Sequence, residues 1–192
     1  MQLLTGKTSR AIDIHSLVNW ASNYERVVLD LGTGDGAYVR HLATRQLSTA
    51  VIGVDTCGAN ATINTRRVPG NARLLIHDAL AIPDDLTKLA NLTTINFPWG
   101  SLLRALLDGD ECLLSTLAGK RCEIRVNAGA LAEQGCAFEA GIEAIRTSTR
   151  SLSPARLTTE LLDHDALHSF PTTWAKRLAF GRDPRAVEFR LD

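Results

Sequence analysis

The sequence predicts an α/β fold in which a mostly parallel sheet is covered by helices on both faces, and three observations carry that reading. Short apolar, strand-like runs alternate with helical ones along the chain. The first strong run, in Val27 to Gly36 (VVLDLGTGDG), breaks into glycines at alternate positions and is followed by a helical stretch. The chain has 192 residues and 45% hydrophobic content, enough for one good core with little length left for another, so residues 1–192 read as a single domain.

Taken in order, Met1 to Ile14 alternates and turns at Gly6-Lys7, which predicts a small β-hairpin placed ahead of the main fold. Trp20 is expected in the core. Val27, Val28 and Leu29 form a strand buried on both faces and carry Asp30 at its carboxyl end; Gly32, Gly34 and Gly36, with Thr33 among them, then let the backbone turn sharply and approach a ligand. Ala37 to Thr44 is helical. Ala50 to Val54 is the second strand of the main sheet and ends in Asp55. Further strands are expected at Arg73–His77, Leu92–Asn96, Cys122–Asn127, Leu157–Leu162 and Ala186–Leu191, six or seven in all. Among the helices, Ser101 to Ala118 is the clearest, with Leu102, Leu103, Leu106, Leu107, Leu113, Leu114 and Leu117 on one wide apolar face after Gly100.

Twenty-one basic and 21 acidic side chains give a formal net charge of zero, so any basic footprint for a polyanion is local. Cys57, Cys112, Cys122 and Cys136 show no CxxC spacing, and no signal peptide or long apolar span is present, which points to a reduced, cytoplasmic compartment and no membrane. His164 and His168 are spaced to share a helical face, but no third ligand stands nearby and no metal is expected.

The glycine turn, with an acid at each of two successive strand tips, describes a nucleoside pocket in which Asp55 accepts hydrogen bonds from ribose hydroxyls. NAD and S-adenosylmethionine compete for it. A dinucleotide seats its pyrophosphate on a helix N-terminus, and Asp30 and Asp35 beside the turn would repel that phosphate. S-adenosylmethionine has no phosphate and carries a sulfonium and an ammonium, so electrostatics favour the methyl donor. Ligands of doubly wound sheets bind outside the carboxyl ends of the strands, which brings the Phe97-Pro98-Trp99 turn beside the donor. Trp174 falls in a second predicted loop. Directly after it, Lys176, Arg177 and Arg182, with Arg185 beyond, form the densest basic patch beside an aromatic and suit a phosphate backbone. Lys7 with Arg10, and Arg66-Arg67, are smaller clusters.

Three segments, VLDLGTGDG, NFPWGSLLRALL and above all TTWAKRLAFGR, resemble the aminoglycoside-resistance methyltransferases of 16S ribosomal RNA of the KamB/NpmA type. The resemblance runs in order over most of the chain, the N-terminal hairpin included. It implies a class I, Rossmann-like S-adenosylmethionine-dependent methyltransferase with a seven-stranded, mostly parallel sheet, acting on N1 of a decoding-site adenine in the 30S subunit. By the same resemblance Asp30 contacts the methionine part of the donor and Asp55 its ribose. Asp78, next to Ala79, is the candidate for the donor's adenine. Trp99 and Trp174 sandwich the flipped target base and Pro98 shapes the turn. Thr172 matches a serine position supporting the second tryptophan, Arg177 and Arg182 match basic positions that grip RNA, and Arg185 matches less securely. A monomer is implied. The alternative is the same donor chemistry on another RNA site or on a small molecule.

Overall fold

The structure, a computed structural model, describes residues 1–6, 8–58, 68–152 and 157–192, and falls into two compact units, Met1–Thr94 and Ile95–Asp192. In the first unit, β3 (Arg26–Leu31) and β4 (Thr49–Asp55) are buried along nearly their whole length, and β5 (Ala72–Ile76) along most of it. These strands pair parallel, Val28 opposite Val51 and Val54 opposite Leu75. Their continuous Val, Ile and Leu content is what a strand covered on both faces requires.

β1 (Gln2–Thr5) and β2 (Thr8–Ala11) form the predicted hairpin, with Gly6 at φ 63° in its turn. The hairpin is not set ahead of the sheet, however. β1 pairs antiparallel with β5, Leu3 opposite Leu75, giving the order β2-β1-β5-β4-β3. Leu3 and Leu4 are buried by that pairing, whereas all four residues of β2 are exposed. The helices of this unit are α1 (Ile14–Ala21), α2 (Ala37–Arg45) and α3 (Asp84–Leu89). Asp13 caps α1 by accepting from the Ser16 N–H at 2.9 Å. Trp20 is half-buried on α1 rather than in the core: the Arg73 guanidinium lies 4.1 Å from its ring centroid and Tyr24 meets it edge-on at 5.3 Å.

β6 (Leu92–Asn96) straddles the division between the units. In the second unit, β7 (Arg121–Asn127), β9 (Ala186–Leu191) and β8 (Leu157–Leu162) pair antiparallel in the order β7-β9-β8. Nine strands are thus found among the described residues, where seven were expected, because the hairpin is hydrogen-bonded into the sheet. Antiparallel pairs in both units make the sheet mixed rather than mostly parallel.

The helices of the second unit are α4 (Gly100–Asp108), α5 (Glu111–Leu117), α6 (Ala128–Glu133), α7 (Phe138–Arg150), α8 (His164–Ser169) and α9 (Thr173–Ala179). The helix predicted over Ser101 to Ala118 is therefore two. Gly109 takes φ 68° and ends α4 in a left-handed cap; Asp110 then starts α5 by accepting from the Leu113 N–H at 3.0 Å. The apolar stripe survives the break, with Leu102, Leu103, Leu106, Leu113 and Leu117 all buried. Among the described residues no helix is long and apolar enough to cross a membrane.

Cys122 on β7 is fully enclosed, and burial pushes its thiol from 9.0 up to about 12. Only the thiolate is strongly nucleophilic. A maleimide at pH 8 is therefore expected to label the exposed Cys57 and Cys112 and to spare Cys122 until denaturant is added. The unfolded chain ionises this thiol from about pH 9 while the folded chain keeps its proton to about 12, so the group's contribution to stability falls as pH rises through that window. Rapid native-state labelling of Cys122 would contradict both statements.

Candidate active site

In the first unit β3 presents Asp30, 1% exposed, whose Oδ1 accepts from the Thr94 hydroxyl at 2.7 Å. The glycine turn that follows is laid against β4: the N–H groups of Gly32 and Thr33 both donate to the Val54 carbonyl, at 2.8 and 3.0 Å. Gly34 and Gly36 lie at φ 57° and 68°, where a side chain is strained. Their surroundings differ. A Cβ at Gly36 would come within 2.9 Å of Leu74, but one at Gly34 would meet nothing within 4 Å, so the turn stands open at Gly34. Sequence reasoning passed over Gly53 on β4, where a Cβ would lie 2.7 Å from both Thr33 Oγ1 and Val39. A lone glycine inside an apolar strand is the signal for such a close approach.

Asp55, at the tip of β4, ties the turn down. Its Oδ2 accepts from the Gly34 N–H and its Oδ1 from the Cys57 N–H, each at 2.8 Å. Each carboxylate oxygen retains further lone-pair capacity for a hydroxyl donor. Asp35 supplies the helix cap that Gly36 lacks, accepting from the Ala37 N–H at 2.9 Å. Arg40 donates to the Asp35 carbonyl at 2.7 Å, and burial lowers its pKa against the opposing pull of Asp35. Asp78 is exposed and accepts from the Leu80 N–H at 2.9 Å, opening the short 3-10 turn Ala79–Ala81. The Thr33 hydroxyl is buried without a hydrogen-bond partner among the described residues. The carboxylates of Asp30, Asp55 and Asp78, an open glycine turn and an unspent hydroxyl fit a nucleoside that carries positive charge and no phosphate, as S-adenosylmethionine does.

In the second unit, Asn96 to Gly100 leads from β6 into α4. Phe97 takes φ 53°, a left-handed conformation that is strained for a bulky side chain. It is held there by its N–H, which donates to the Arg125 carbonyl at 2.7 Å, and by its ring, which packs with Leu167, Ala175, Ala179 and Ala186 and meets Phe170 edge-on at 5.6 Å. Phe97, in the turn predicted beside the donor, thus has its ring packed in the core. Gly100 follows at φ 58°, so Pro98 and Trp99 sit between two left-handed residues and Trp99 emerges as the N-cap of α4.

Trp174 is not in a loop, as predicted, but in the first turn of α9, whose cap is Thr172: its Oγ1 accepts from the Ala175 N–H at 3.0 Å. The Thr172 hydroxyl is thereby committed to the helix that carries Trp174. The two tryptophans are brought together, with ring centroids 5.1 Å apart and planes at 84°. That is an edge-to-face pair and not yet two parallel faces. Trp99 is half-buried and Trp174 is 40% exposed.

Lys176, Arg177 and Arg182 are exposed and make no ion pair among the described residues. Arg185 differs. It forks onto Asp183 at 2.8 and 2.9 Å, reaches Glu139 at 3.3 Å and lies 4.9 Å from the Phe138 ring centroid. Those bonds hold the Asp183 carboxyl below its usual range, and the Arg185 charge is already matched. Arg10 stands on exposed β2 in the first unit. Lys7, Arg66 and Arg67 lie outside the described residues. His164 and His168 share a face of α8 as predicted, their rings parallel within 5° at 5.9 Å and both edge-on to the exposed Phe180.

A family model described as NpmA, 16S rRNA (adenine(1408)-N(1))-methyltransferase, matches residues 2–191. A 16S rRNA (adenine(1408)-N(1))-methyltransferase of Escherichia coli is 27% identical over 216 residues, covering 95% of this chain and 94% of its own. Among solved structures, the aminoglycoside resistance methyltransferase NpmB1 aligns with a TM-score of 0.72 at 28% identity, covering 100% of this chain and 99% of that one. A Trp-to-Ala mutant of a 16S rRNA (adenine(1408)-N(1))-methyltransferase from Catenulisporales acidiphilia, solved with cosubstrate SAM, aligns with a TM-score of 0.79 at 21% identity over 100% of this chain and 96% of that one.

Proposed function

Because this chain belongs to the family of 16S rRNA (adenine(1408)-N(1))-methyltransferases, we propose that Trp99 and Trp174 hold the target adenine while the first unit's glycine turn and carboxylates hold the methyl donor. It is an S-adenosylmethionine-dependent rRNA methyltransferase of the aminoglycoside-resistance type. The reading of the site extends to the class I methyltransferase arrangement, with residues 1–192 acting as one domain, working as a monomer in the cytoplasm on the 30S subunit.

When bound, S-adenosylmethionine supplies an electrophilic methyl on its sulfonium. Asp30 receives the cationic methionine part of the donor, Asp55 takes its ribose hydroxyls on the lone pairs that the turn leaves open, and Asp78 with Ala79 faces its adenine. Phe97 contributes through its main chain, since its ring is spent in the core. The lone pair on adenine N1 is largely free near neutral pH, so no side chain has to remove a proton. What the protein must supply is an extruded base held in plane. Two indoles replace the stacking that the base loses and offer π faces to the positive charge it acquires. Pro98 and Gly100 aim Trp99, and the Thr172 cap aims Trp174. The observation that carries this reading is the ring pair itself: two tryptophans 75 positions apart in the chain, one of them 40% exposed, meeting at 5.1 Å, the second on a helix that also bears the exposed Lys176 and Arg177.

Tritium transfer from labelled S-adenosylmethionine to purified 30S subunits, with reverse transcription across the decoding site, tests it. A stop at adenine 1408 is the expected result; transfer mapped elsewhere would overturn the target, and donor binding without transfer would overturn the RNA docking. Arg177→Glu is expected to weaken 30S affinity roughly tenfold and flatten its salt dependence with donor affinity unchanged. Wild-type 30S affinity in that variant would remove Arg177 from the interface.

A further inference from the structure

We propose that Arg125 is the positioning residue for both tryptophans, one buried guanidinium fastening the two segments that carry them; this rests on the reading that Trp99 and Trp174 hold the base. Arg125 lies on β7 and is 8% exposed. Its Nη1 donates to Asn96 Oδ1 at 2.8 Å, and its carbonyl accepts the Phe97 N–H at 2.7 Å, so it grips the strand end leading directly into Pro98-Trp99. The same guanidinium lies 4.7 Å from the ring centroid of Phe170, which opens the Pro171-Thr172-Thr173 approach to Trp174. Phe97 and Phe170 meet edge-on, so the two segments touch where Arg125 holds them.

Arg125 is itself held in place. Its Nη2 donates to Glu123 Oε2 at 2.7 Å and pairs with Glu188, which is 1% exposed and stands opposite it in the β7–β9 register. Glu188 also pairs with Arg190, whose guanidinium reaches Glu160 at 3.7 Å. A buried ion pair of this kind is weak as a source of net stability, because taking both charges out of water offsets much of their attraction. What it does supply is direction. A planar guanidinium with carboxylates on one edge has its remaining N–H and its face fixed, and here these meet Asn96 and Phe170. A lysine at position 125 would keep the charge beside Glu188 but neither the fork nor the flat face.

The test compares Arg125→Lys with the double variant Arg125→Met/Glu188→Leu, which removes both members of the most deeply buried pair and leaves Glu123 at the part-exposed edge. Both are labelled with 5-fluorotryptophan and assayed for methyl transfer to 30S subunits. The fluorine resonances of Trp99, Trp174 and Trp20 are assigned from single Trp→Phe variants. Both proteins are expected to unfold cooperatively and to bind S-adenosylmethionine as the wild type does. The Trp99 and Trp174 resonances should move or broaden while Trp20, in the first unit, stays put. The turnover number should fall roughly 10- to 100-fold, with KM for the subunit changed less than about threefold, as misplacement of a held substrate produces. Wild-type turnover in either folded variant, or tryptophan resonances that do not move, would overturn the inference; should the double variant not fold, Arg125→Lys decides alone. Trp99→Ala and Trp174→Ala run alongside. Full transfer by those two would overturn the base-holding reading itself, whereas their loss together with full activity of the Arg125 variants would overturn only the role given to Arg125.

Discussion

Trp99→Ala and Trp174→Ala are each expected to bind S-adenosylmethionine with wild-type affinity and to lose most methyl transfer. Stacking on one aromatic ring contributes about 1 to 3 kcal/mol per base, which corresponds to a loss of roughly 5- to 150-fold for either ring alone. The loss should exceed that bound in turnover, because the remaining indole no longer fixes the plane of the base. Calorimetry with the donor and single-turnover transfer to 30S subunits separate the two effects. The fold is expected to survive: Trp174 is already 40% exposed, and Trp99 is an N-cap whose side chain makes no capping bond. Collapse of donor affinity in either variant would count against the sandwich, since it would put the ring on the donor rather than on the base.

Asp30→Asn is expected to give the opposite pattern, with donor affinity lowered by about one to two powers of ten and the fold nearly unchanged. The substitution keeps an oxygen for the Thr94 hydroxyl while replacing the charged second oxygen by an amide nitrogen. A hydrogen bond to a charged group is worth about 1.5 to 3 kcal/mol, which sets the size of the effect on a cationic ligand. Asp30→Ala, by contrast, also leaves the buried Thr94 hydroxyl without this acceptor and should lower stability by about 1 to 3 kcal/mol in addition. Isothermal titration with S-adenosylmethionine and thermal unfolding of both variants would show it. An Asp30→Asn protein that binds the donor like the wild type would remove Asp30 from the ligand.

The donor-side acids were legible in the sequence for simple reasons. A strand covered on both faces must be continuously apolar, so Asp30 and Asp55 stood out as its interruptions, and alternate glycines marked the turn between them. Local signals also stood at Gly109-Asp110, a left-handed glycine followed by a capping aspartate, but the leucine stripe on either side masked the break between α4 and α5. Other features depend on partners far apart in the chain. Pairing of β1 with β5 buries Leu3 against a strand some seventy residues on, and nothing within the hairpin itself announces it. Thr94 meets Asp30 across 64 positions, and Arg125 and Glu188 look like ordinary outward charges on alternating strands until the register sets them opposite each other. The edge-on meeting of the tryptophans belongs to the same group, because ring angles follow from packing rather than from spacing.

If the two indoles hold the base as proposed, their mutual contact sets a cost of entry. Trp99 and Trp174 already satisfy one another, and an edge-to-face contact contributes about 0.5 to 1.5 kcal/mol that an entering base must replace before it gains anything. Free adenosine has only its own stacking to set against that loss and against its freedom in solution. On the same proposal, an adenine held within 16S rRNA would arrive with its position already restricted, and the exposed Lys176, Arg177 and Arg182 would add contacts to the surrounding phosphates. On the proposed role, the pair would therefore favour a base delivered already positioned over a free nucleoside, by up to the size of that ring contact.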